Sequence, residues 1–246
     1  MYYDVIVSHR LSFVNTFISA LLFRLGNVKK NIGYNREGRG FLLDFSPEIN
    51  YHKHYINRYA FLFNEYIGNK YVYLPELSLR HTGQKTFQFD NSHKTIALYL
   101  GGENKEFRKY PDEYAVQLLR LLNRQGYNLL LIGDENDNIK HTQYAEEARI
   151  DHLINLTART TIEGFINTIA NVDLIITIDS SALHIAAAVK TPFIALMGLS
   201  TSPTSTILPK VPLGRILKIE NNLIREEDYI RNITPDLILK TISELI

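Results

Sequence analysis

The chain has 246 residues, of which 45% are apolar and 22% charged, and its formal net charge is +1. This composition is ordinary for a globular protein of one or two domains, and it gives no reason to expect a nucleic-acid partner. Because there is no cysteine, disulfide frameworks and thiolate metal sites are excluded. No apolar run approaches the roughly 20 residues of a membrane span, and the start MYYDVIVSHR lacks the form of a signal peptide. We therefore expect a cytoplasmic protein.

Composition changes along the chain. Residues 1–93 hold 18 of the 27 aromatic residues, and they carry 11 Lys or Arg against 7 Asp or Glu. The remainder is rich in Ile and Leu and slightly acidic. This contrast predicts two domains, residues 1–88 and residues 89–246, joined by a linker at about 80–93.

The first domain is predicted to be a mixture of short strands and helices. The strands are Tyr2–Ser8, Lys30–Tyr34 and Phe41–Phe45, and the helices are Leu11–Leu25 and the aromatic segment Tyr51–Ile67. His54 and Arg58 are four residues apart on one face of the second helix, so both are candidates for binding an acceptor. The alternative for each is a solvated or locally paired side chain.

The second domain shows a regular alternation of strands and helices. The predicted strands are 95–100, 128–132, 152–155, 173–178 and 193–197, with a sixth at 215–219. The predicted helices are 111–125, 135–148, 161–170 and 181–189, with a closing helix at 235–245. Alternation at this spacing predicts a parallel sheet with right-handed crossovers, which is a Rossmann-like domain.

A glycine-containing basic loop follows the first strand of this domain. Gly101 and Gly102 allow a close approach of the backbone to a ligand. Arg108 and Lys109 precede the next helix, where two cations suit a diphosphate. The alternative is a flexible loop with solvated charges.

An acidic turn follows the second strand. The carboxylates of Asp134 and Glu135 could bind ribose hydroxyls, because carboxylates at strand ends do so in dinucleotide sites. The alternative is a helix N-cap followed by an acidic first turn, which the same residues also fit.

A third polar segment follows the strand 173–178. Asp179, Ser180 and Ser181 open a short alanine-rich helix, and the N-terminus of that helix favours an anion. His184 lies one turn into the helix and is a further ligand-binding candidate, whereas a core histidine is the alternative. All three segments follow strand ends, which predicts one shared ligand site.

Several other enzyme classes lack their motifs here. There is no G-x-G-x-x-G after strand 95–100, no G-x-x-x-x-G-K-[ST] loop and no G-x-S-x-G turn. No set of His or carboxylate residues has convincing metal spacing, and no Asp-x-Asp motif is present.

The stretch DSSALHIAAAVKTPFIALMG, followed by a Ser/Thr-Pro loop, resembles the signature of the heptosyltransferase family (family 9 glycosyltransferases). The segments LLLIGDENDN, NIGYNREGRGFLLDF and HYINRYAFLF are also similar to that family. In IALYLGGENKEFRKYPDEY, Arg108 stands where the family has a phosphate-binding lysine, and Tyr110 replaces the customary Trp.

The resemblance implies an α/β protein of the GT-B type with two Rossmann-like domains, each with a parallel sheet. It implies transfer of a sugar, heptose above all, from a nucleoside-diphosphate donor to a lipopolysaccharide core or related glycan. Transfer would invert the anomeric centre without a metal or another cofactor. Arg108, Lys109 and the helix start at Ser180 and Ser181 would stabilise the departing diphosphate, which His184 would hold or polarise. The resemblance also implies a cytoplasmic protein with peripheral contact at the inner face of the membrane.

The sequence departs from the family pattern at two places. Ser181 stands where the family has Gly, and residues 1–93 contain no Gly-x-x-Gly-Asp loop, whose Asp is the general base in the family. We therefore expect a truncated N-terminal domain without its first β–α units. His9 or His54 would then be the base, or the protein would bind nucleotide sugars without catalysis. Another GT-B-like enzyme of nucleotide sugars, such as an epimerase, is a further alternative.

Overall fold

The computed structural model describes most of the second half of the chain and parts of the first. The described residues are 5–8, 21, 25–26, 30–35, 38–50, 53–68, 78–89, 92–101, 109–198, 209, 211–218 and 230–246. The chain divides into two compact units, one of residues 1–75 with 202–208 and one of residues 76–201 with 209–246. No helix of the described residues is long and apolar enough to cross a membrane.

The described residues of the first unit form a small parallel sheet, a 3-10 helix and an α-helix. Strand β1 (Val5–Ser8) pairs in parallel with β2 (Lys30–Gly33), and helix α1 spans Tyr55–Ile67. The first two predicted strands and the aromatic helix are confirmed in these ranges, although α1 begins four residues later than predicted. The predicted helix Leu11–Leu25 falls almost entirely outside the described residues.

The predicted strand Phe41–Phe45 is wrong. Arg39–Leu42 forms a 3-10 helix, and Phe45 makes only an isolated bridge with Ile32. The cause is the packing of Gly40, whose N–H donates to Asn35 Oδ1 at 2.9 Å. A Cβ at Gly40 would lie 2.4 Å from the Ser46 hydroxyl, so the chain turns tightly here around a position that only glycine fits.

The second unit is built on a six-stranded sheet in which all neighbours are parallel. Its strand order is β5-β4-β3-β6-β7-β8, with strands β3 (Thr95–Tyr99), β4 (Asn128–Leu131), β5 (Leu153–Asn155), β6 (Leu174–Ile178), β7 (Phe193–Leu196) and β8 (Gly214–Leu217). The Rossmann-like prediction is confirmed. Nearly all residues of β3, β4, β6 and β7 are buried, as expected of strands covered on both faces.

Helices connect these strands. They are α2 (Asp112–Arg124), α3 (Asn138–Ala148, preceded by a 3-10 turn), α4 (Ile162–Ala170), α5 (Ser181–Val189) and the closing helix α6 (Pro235–Ile242). Helix α2 contacts α3 and α6, whereas α4 contacts α5. Since crossovers between parallel strands are right-handed and the strand order reverses at β3, the two groups of helices cover opposite faces of the sheet.

The segment 78–89 lies within the second unit and is hydrogen-bonded to the helices of that unit. The Thr82 N–H donates to Asn167 Oδ1 at 3.0 Å, and the Leu79 N–H donates to the Ala188 carbonyl at 3.4 Å. The domain boundary between residues 88 and 89 stays a prediction. The residues that precede this boundary, 78–88, contact α4 and α5 through these two hydrogen bonds.

Tyr110 joins the start of α2 to the end of the chain. Its side chain is buried, and its hydroxyl donates to the carbonyl of Ile233 at 2.9 Å. Burial raises the pKa of the Tyr110 phenol, which therefore stays protonated and able to donate. The interaction bridges 123 residues of sequence and holds the start of α2 against the segment before α6.

We expect Tyr110→Phe to lower the free energy of unfolding by about 1 kcal/mol, because the buried Ile233 carbonyl would lose its donor. Urea unfolding followed by circular dichroism measures the change. The matched control is Tyr114→Phe, a half-buried neighbour whose ring centroid lies 6.0 Å from that of Tyr110. Equal effects of the two substitutions would show that the hydroxyl bond contributes nothing specific.

Candidate functional site

The three polar segments predicted to bind a ligand begin at the carboxyl edge of the large sheet, where its strands end. Strand β3 pairs with β6 so that Tyr99 lies opposite Thr177, and with β4 so that Leu98 lies opposite Leu131. The segments that begin at Gly101, Gly133 and Asp179 therefore leave the sheet at the same level, on adjacent strands. Neighbouring strands are about 4.8 Å apart, so these segments begin side by side.

The strand order reverses between β3 and β6. From β3 the chain proceeds through β4 to β5 on one side, and from β6 through β7 to β8 on the other. The space outside the carboxyl ends of these two strands, which we call the crevice, is therefore the point from which the chain departs to opposite sides of the sheet. In open parallel sheets this is the position where ligands bind.

Helix α5 begins at this crevice. Ser180 is its N-cap, and the Ser180 hydroxyl accepts the Ala182 N–H at 3.2 Å. Ser181 is exposed in the first turn. Because the first N–H groups of a helix have no partner within it, and the helix dipole is positive at this end, α5 directs uncommitted donors toward the crevice.

Asp179 and His184 flank that helix start. Asp179 is half-buried between β6 and the cap, and His184 is exposed one turn later. The exposed position rules out the core-histidine alternative for His184. The structure thus brings Asp179, Ser180, Ser181 and His184 together on one short segment, as their spacing predicted.

Gly101, two residues after the end of β3, packs against the carboxylate of Asp137. A Cβ at Gly101 would lie 1.8 Å from Oδ1 of Asp137, and one at Gly133 would lie 2.8 Å from Oδ2. Asp137 is 5% exposed, and its Oδ2 accepts the Asp134 N–H at 3.3 Å. The two glycines therefore make room for Asp137, which joins the ends of β3 and β4.

The rest of the basic loop is only partly described. Gly102 and Arg108 lie outside the described residues, so their predicted roles stay predictions. Lys109 is half-buried directly before the buried Tyr110, at the start of α2. It lies close enough to Asp112 to help lower the pKa of that carboxyl.

The acidic turn after β4 is a helix cap. Asp134 Oδ1 accepts the Asn136 N–H at 2.8 Å, and Asp137 completes a reciprocal capping box. Asp134 and Glu135 nevertheless remain exposed at the carboxyl edge. Asp134 therefore caps the turn through one carboxylate oxygen, as the alternative interpretation of the sequence predicted. Contact of Asp134 and Glu135 with a ligand stays a prediction.

A polar network behind this turn was not predicted. Tyr144 donates to Asp112 Oδ1 at 2.5 Å, and Lys140 forms an ion pair with the same carboxylate. Partial burial acts to raise the pKa of Asp112, but the bonds from Lys140 and Tyr144 outweigh it and lower that pKa. The network joins the starts of α2 and α3. The acidic first turn after Pro111 was the sign of this network in the sequence. Its partners could not be identified from it, because they lie about 30 residues away.

His141 continues the network into the interior. Its ring is fully buried, Nδ1 lies 2.7 Å from the Thr157 hydroxyl, and Nε2 has no hydrogen-bond partner among the described residues. Burial lowers the pKa of His141 to about 4, although the negative charge of Asp134 opposes this. His141 is therefore neutral and is a structural histidine rather than a ligand.

The two candidates in the first unit have local partners. His54 is the N-cap of α1, and its Nδ1 accepts the Ile56 N–H at 3.3 Å. Arg58 is buried, and its Nε donates to the Lys53 carbonyl at 2.8 Å. Both side chains thus stabilise the start of α1, and their contact with an acceptor stays a prediction.

No group of three His, Asp or Glu residues could hold a metal ion within the part of the chain that the structure describes.

Solved structures share this fold. E. coli ADP-heptose lps heptosyltransferase II superposes with a TM-score of 0.73 at 22% identity, covering 99% of this chain and 76% of the other. E. coli heptosyltransferase WaaC, solved with ADP-2-deoxy-2-fluoro heptose, gives a TM-score of 0.67 at 16% identity, covering 99% and 73%. The fold is therefore α/β of the GT-B-like class, as predicted.

The family model of glycosyltransferase family 9 (heptosyltransferase) matches residues 3–227. The chain belongs to this family. A relative, lipooligosaccharide heptosyltransferase 2 of Haemophilus influenzae, is 31% identical over 163 residues, which are 61% of this chain and 47% of the relative. The chain thus spans about half the length of the curated relatives that it matches first.

We expect the stability of the protein to fall between pH 6.5 and about 4 because of His141. The unfolded chain binds a proton at the ordinary pKa of 6.5, whereas the folded chain binds it only near 4. The stabilisation is complete above pH 6.5 and is lost as the pH falls, by about 3 kcal/mol in all. Urea unfolding at a series of pH values measures it.

His141→Asn removes the titrating group while keeping a polar atom near the position of Nδ1, so its stability should change less over this pH range. His152→Asn alters an exposed histidine and should keep the slope of the wild type. A wild-type slope in His141→Asn would contradict the assignment.

Proposed function

We propose that this chain transfers a sugar, heptose in the first instance, from a nucleoside-diphosphate donor to a lipopolysaccharide core or related glycan. One observation supports this above all: the loop after β3 and the N-terminus of α5 leave adjacent strands at the point where the strand order reverses. A diphosphate fits that crevice because backbone N–H groups and a nearby lysine, Lys109, all favour negative charge.

The chemistry follows from where charge develops. An acceptor hydroxyl attacks the anomeric carbon, the bond from that carbon to the diphosphate oxygen breaks, and the diphosphate leaves with the bonding electrons. A base takes the hydroxyl proton. Donors at the start of α5, with Lys109 and His184, would stabilise the departing diphosphate, and attack opposite the leaving group would invert the anomeric centre. This charge neutralisation requires no metal.

The nature of the donor is suggested by a structural neighbour. WaaC of E. coli was solved with an ADP-heptose analogue, and its fold is that of this chain. An ADP-sugar is therefore our first candidate, with ribose hydroxyls bound by Asp134 and Glu135. For the acceptor, the names of the relatives suggest a lipopolysaccharide or lipooligosaccharide. We place acceptor binding in the first unit near His54 and Arg58, with peripheral contact at the inner membrane.

A second candidate is a nucleotide-sugar-binding module without turnover. The observation in its favour is that residues 1–93 contain no Gly-x-x-Gly-Asp loop, which supplies the base in the family. In that case the carboxyl edge of the second unit would still bind the donor. The two candidates differ in turnover, not in donor affinity.

We expect Asp179→Ala and His184→Ala each to weaken binding of the nucleotide-sugar donor about tenfold or more, because each removes a polar group that can bond to the hydroxyls or the phosphates of that ligand. Isothermal titration of ADP-heptose measures the affinity. Asp151→Ala and His152→Ala are matched controls, since both residues are exposed directly before β5, at the opposite edge of the sheet. Unchanged affinity in both Asp179→Ala and His184→Ala would contradict the site.

Turnover separates the two candidates. Incubation of the full chain with ADP-heptose and a lipopolysaccharide core acceptor should give ADP and a glycan heavier by one heptose, seen by mass spectrometry. ADP binding without ADP release or a heavier glycan would support the binding module and contradict the enzyme.

A further inference from the structure

Thr177 is a fully buried polar residue next to the proposed diphosphate site. It lies on β6, two residues before Asp179, where the surrounding strand is otherwise aliphatic. Its hydroxyl donates to the carbonyl of Ile178 at 2.9 Å and lies 2.9 Å from the hydroxyl of Ser180. A buried hydroxyl with two partners at the root of a ligand-binding turn invites an explanation beyond packing.

The protons of these hydroxyls can be assigned. Thr177 has one proton, which the Ile178 carbonyl accepts. The contact between the two hydroxyls is then a bond from Ser180 to Thr177, so the Ser180 proton points into the protein. A lone pair of the Ser180 oxygen accepts the Ala182 N–H. In this arrangement the Ser180 hydroxyl has no proton to offer a phosphate.

The consequence is a division of roles between two adjacent serines. Ser180 caps α5, and its side chain is held in one orientation by Thr177 and Ala182. Ser181 is exposed in the first turn and keeps its hydroxyl for a ligand. The uncommitted N–H groups of the first turn can serve an anion only while the cap keeps the helix start in place.

We propose that Thr177 is a positioning residue for diphosphate binding: its buried hydroxyl orients the Ser180 cap and so holds the first turn of α5 at the crevice. This role rests on the proposed donor site, and it assigns to Thr177 an effect on the phosphate part of the ligand alone. The nucleoside part of a donor does not touch the helix start and does not depend on Thr177.

The test compares Thr177→Val, which keeps the shape but lacks the hydroxyl, with Thr177→Ser, which keeps the hydroxyl. Isothermal titration with ADP and with adenosine separates the phosphate contribution from that of the nucleoside. We expect Thr177→Val to bind ADP about three- to tenfold more weakly, the equivalent of one hydrogen bond, with adenosine unchanged. Thr177→Ser should restore ADP affinity to within about twofold of wild type.

A double-mutant cycle tests whether Thr177 acts through Ser180. If it does, Thr177→Val has no further effect on ADP affinity in a Ser180→Ala background. Circular dichroism confirms folding of each variant, and Thr177→Ala replaces Thr177→Val if the valine variant does not fold.

Wild-type ADP affinity in the hydroxyl-free variant, or an equal loss for adenosine, would overturn the role of Thr177 and leave the donor site standing. Failure of the wild type to bind ADP would overturn the donor site and the role of Thr177 together.

Discussion

The parallel pairing of β3 with β6 is the constraint on which the rest of the second unit depends. Paired residues of these two strands, such as Ile96 and Leu174, are 78 positions apart in sequence, yet the strands lie side by side at the centre of the sheet. Because the chain continues outward in opposite directions from them, the crevice lies outside their carboxyl ends. The pairing is stabilised by burial of the aliphatic side chains on both faces of both strands.

Small features of the strand ends then set what the crevice can bind. Gly101 and Gly133 admit the buried carboxylate of Asp137, which fixes the β3 and β4 ends to each other. On the other side, Thr177 and Ser180 fix the start of α5. The N–H groups of the first turn, which have no partner within the helix, are thus presented to an anion by a helix start that is already ordered.

The strands of the second unit were predictable to within one or two residues because runs of buried Ile and Leu end at polar turns. The strand proposed for Phe41–Phe45 failed because Gly40 packs against Asn35 and Ser46, contacts that no local pattern encodes. The Asp112 and His141 network was missed for the same reason, since its bonds join residues 16 to 32 positions apart. The spacing of apolar residues predicts which positions are buried, but it does not predict which polar side chains form hydrogen bonds with each other.

The candidate site illustrates the same limit at the level of single residues. Asp134 and Ser180 are both N-caps. A side-chain oxygen can cap a helix or bind a ligand, so the residue type alone does not separate the two roles. Sequence therefore predicted where a site could lie but could not divide its residues between capping and binding. The hydrogen bonds distinguish the two roles. The Ser180 hydroxyl contacts Thr177, whereas Ser181 and His184 are exposed. The contact between Ser180 and Thr177 holds the helix start in position. A cap with its own buried support is what a rigid anion site requires, since an uncapped helix start frays and loses the alignment of its N–H groups.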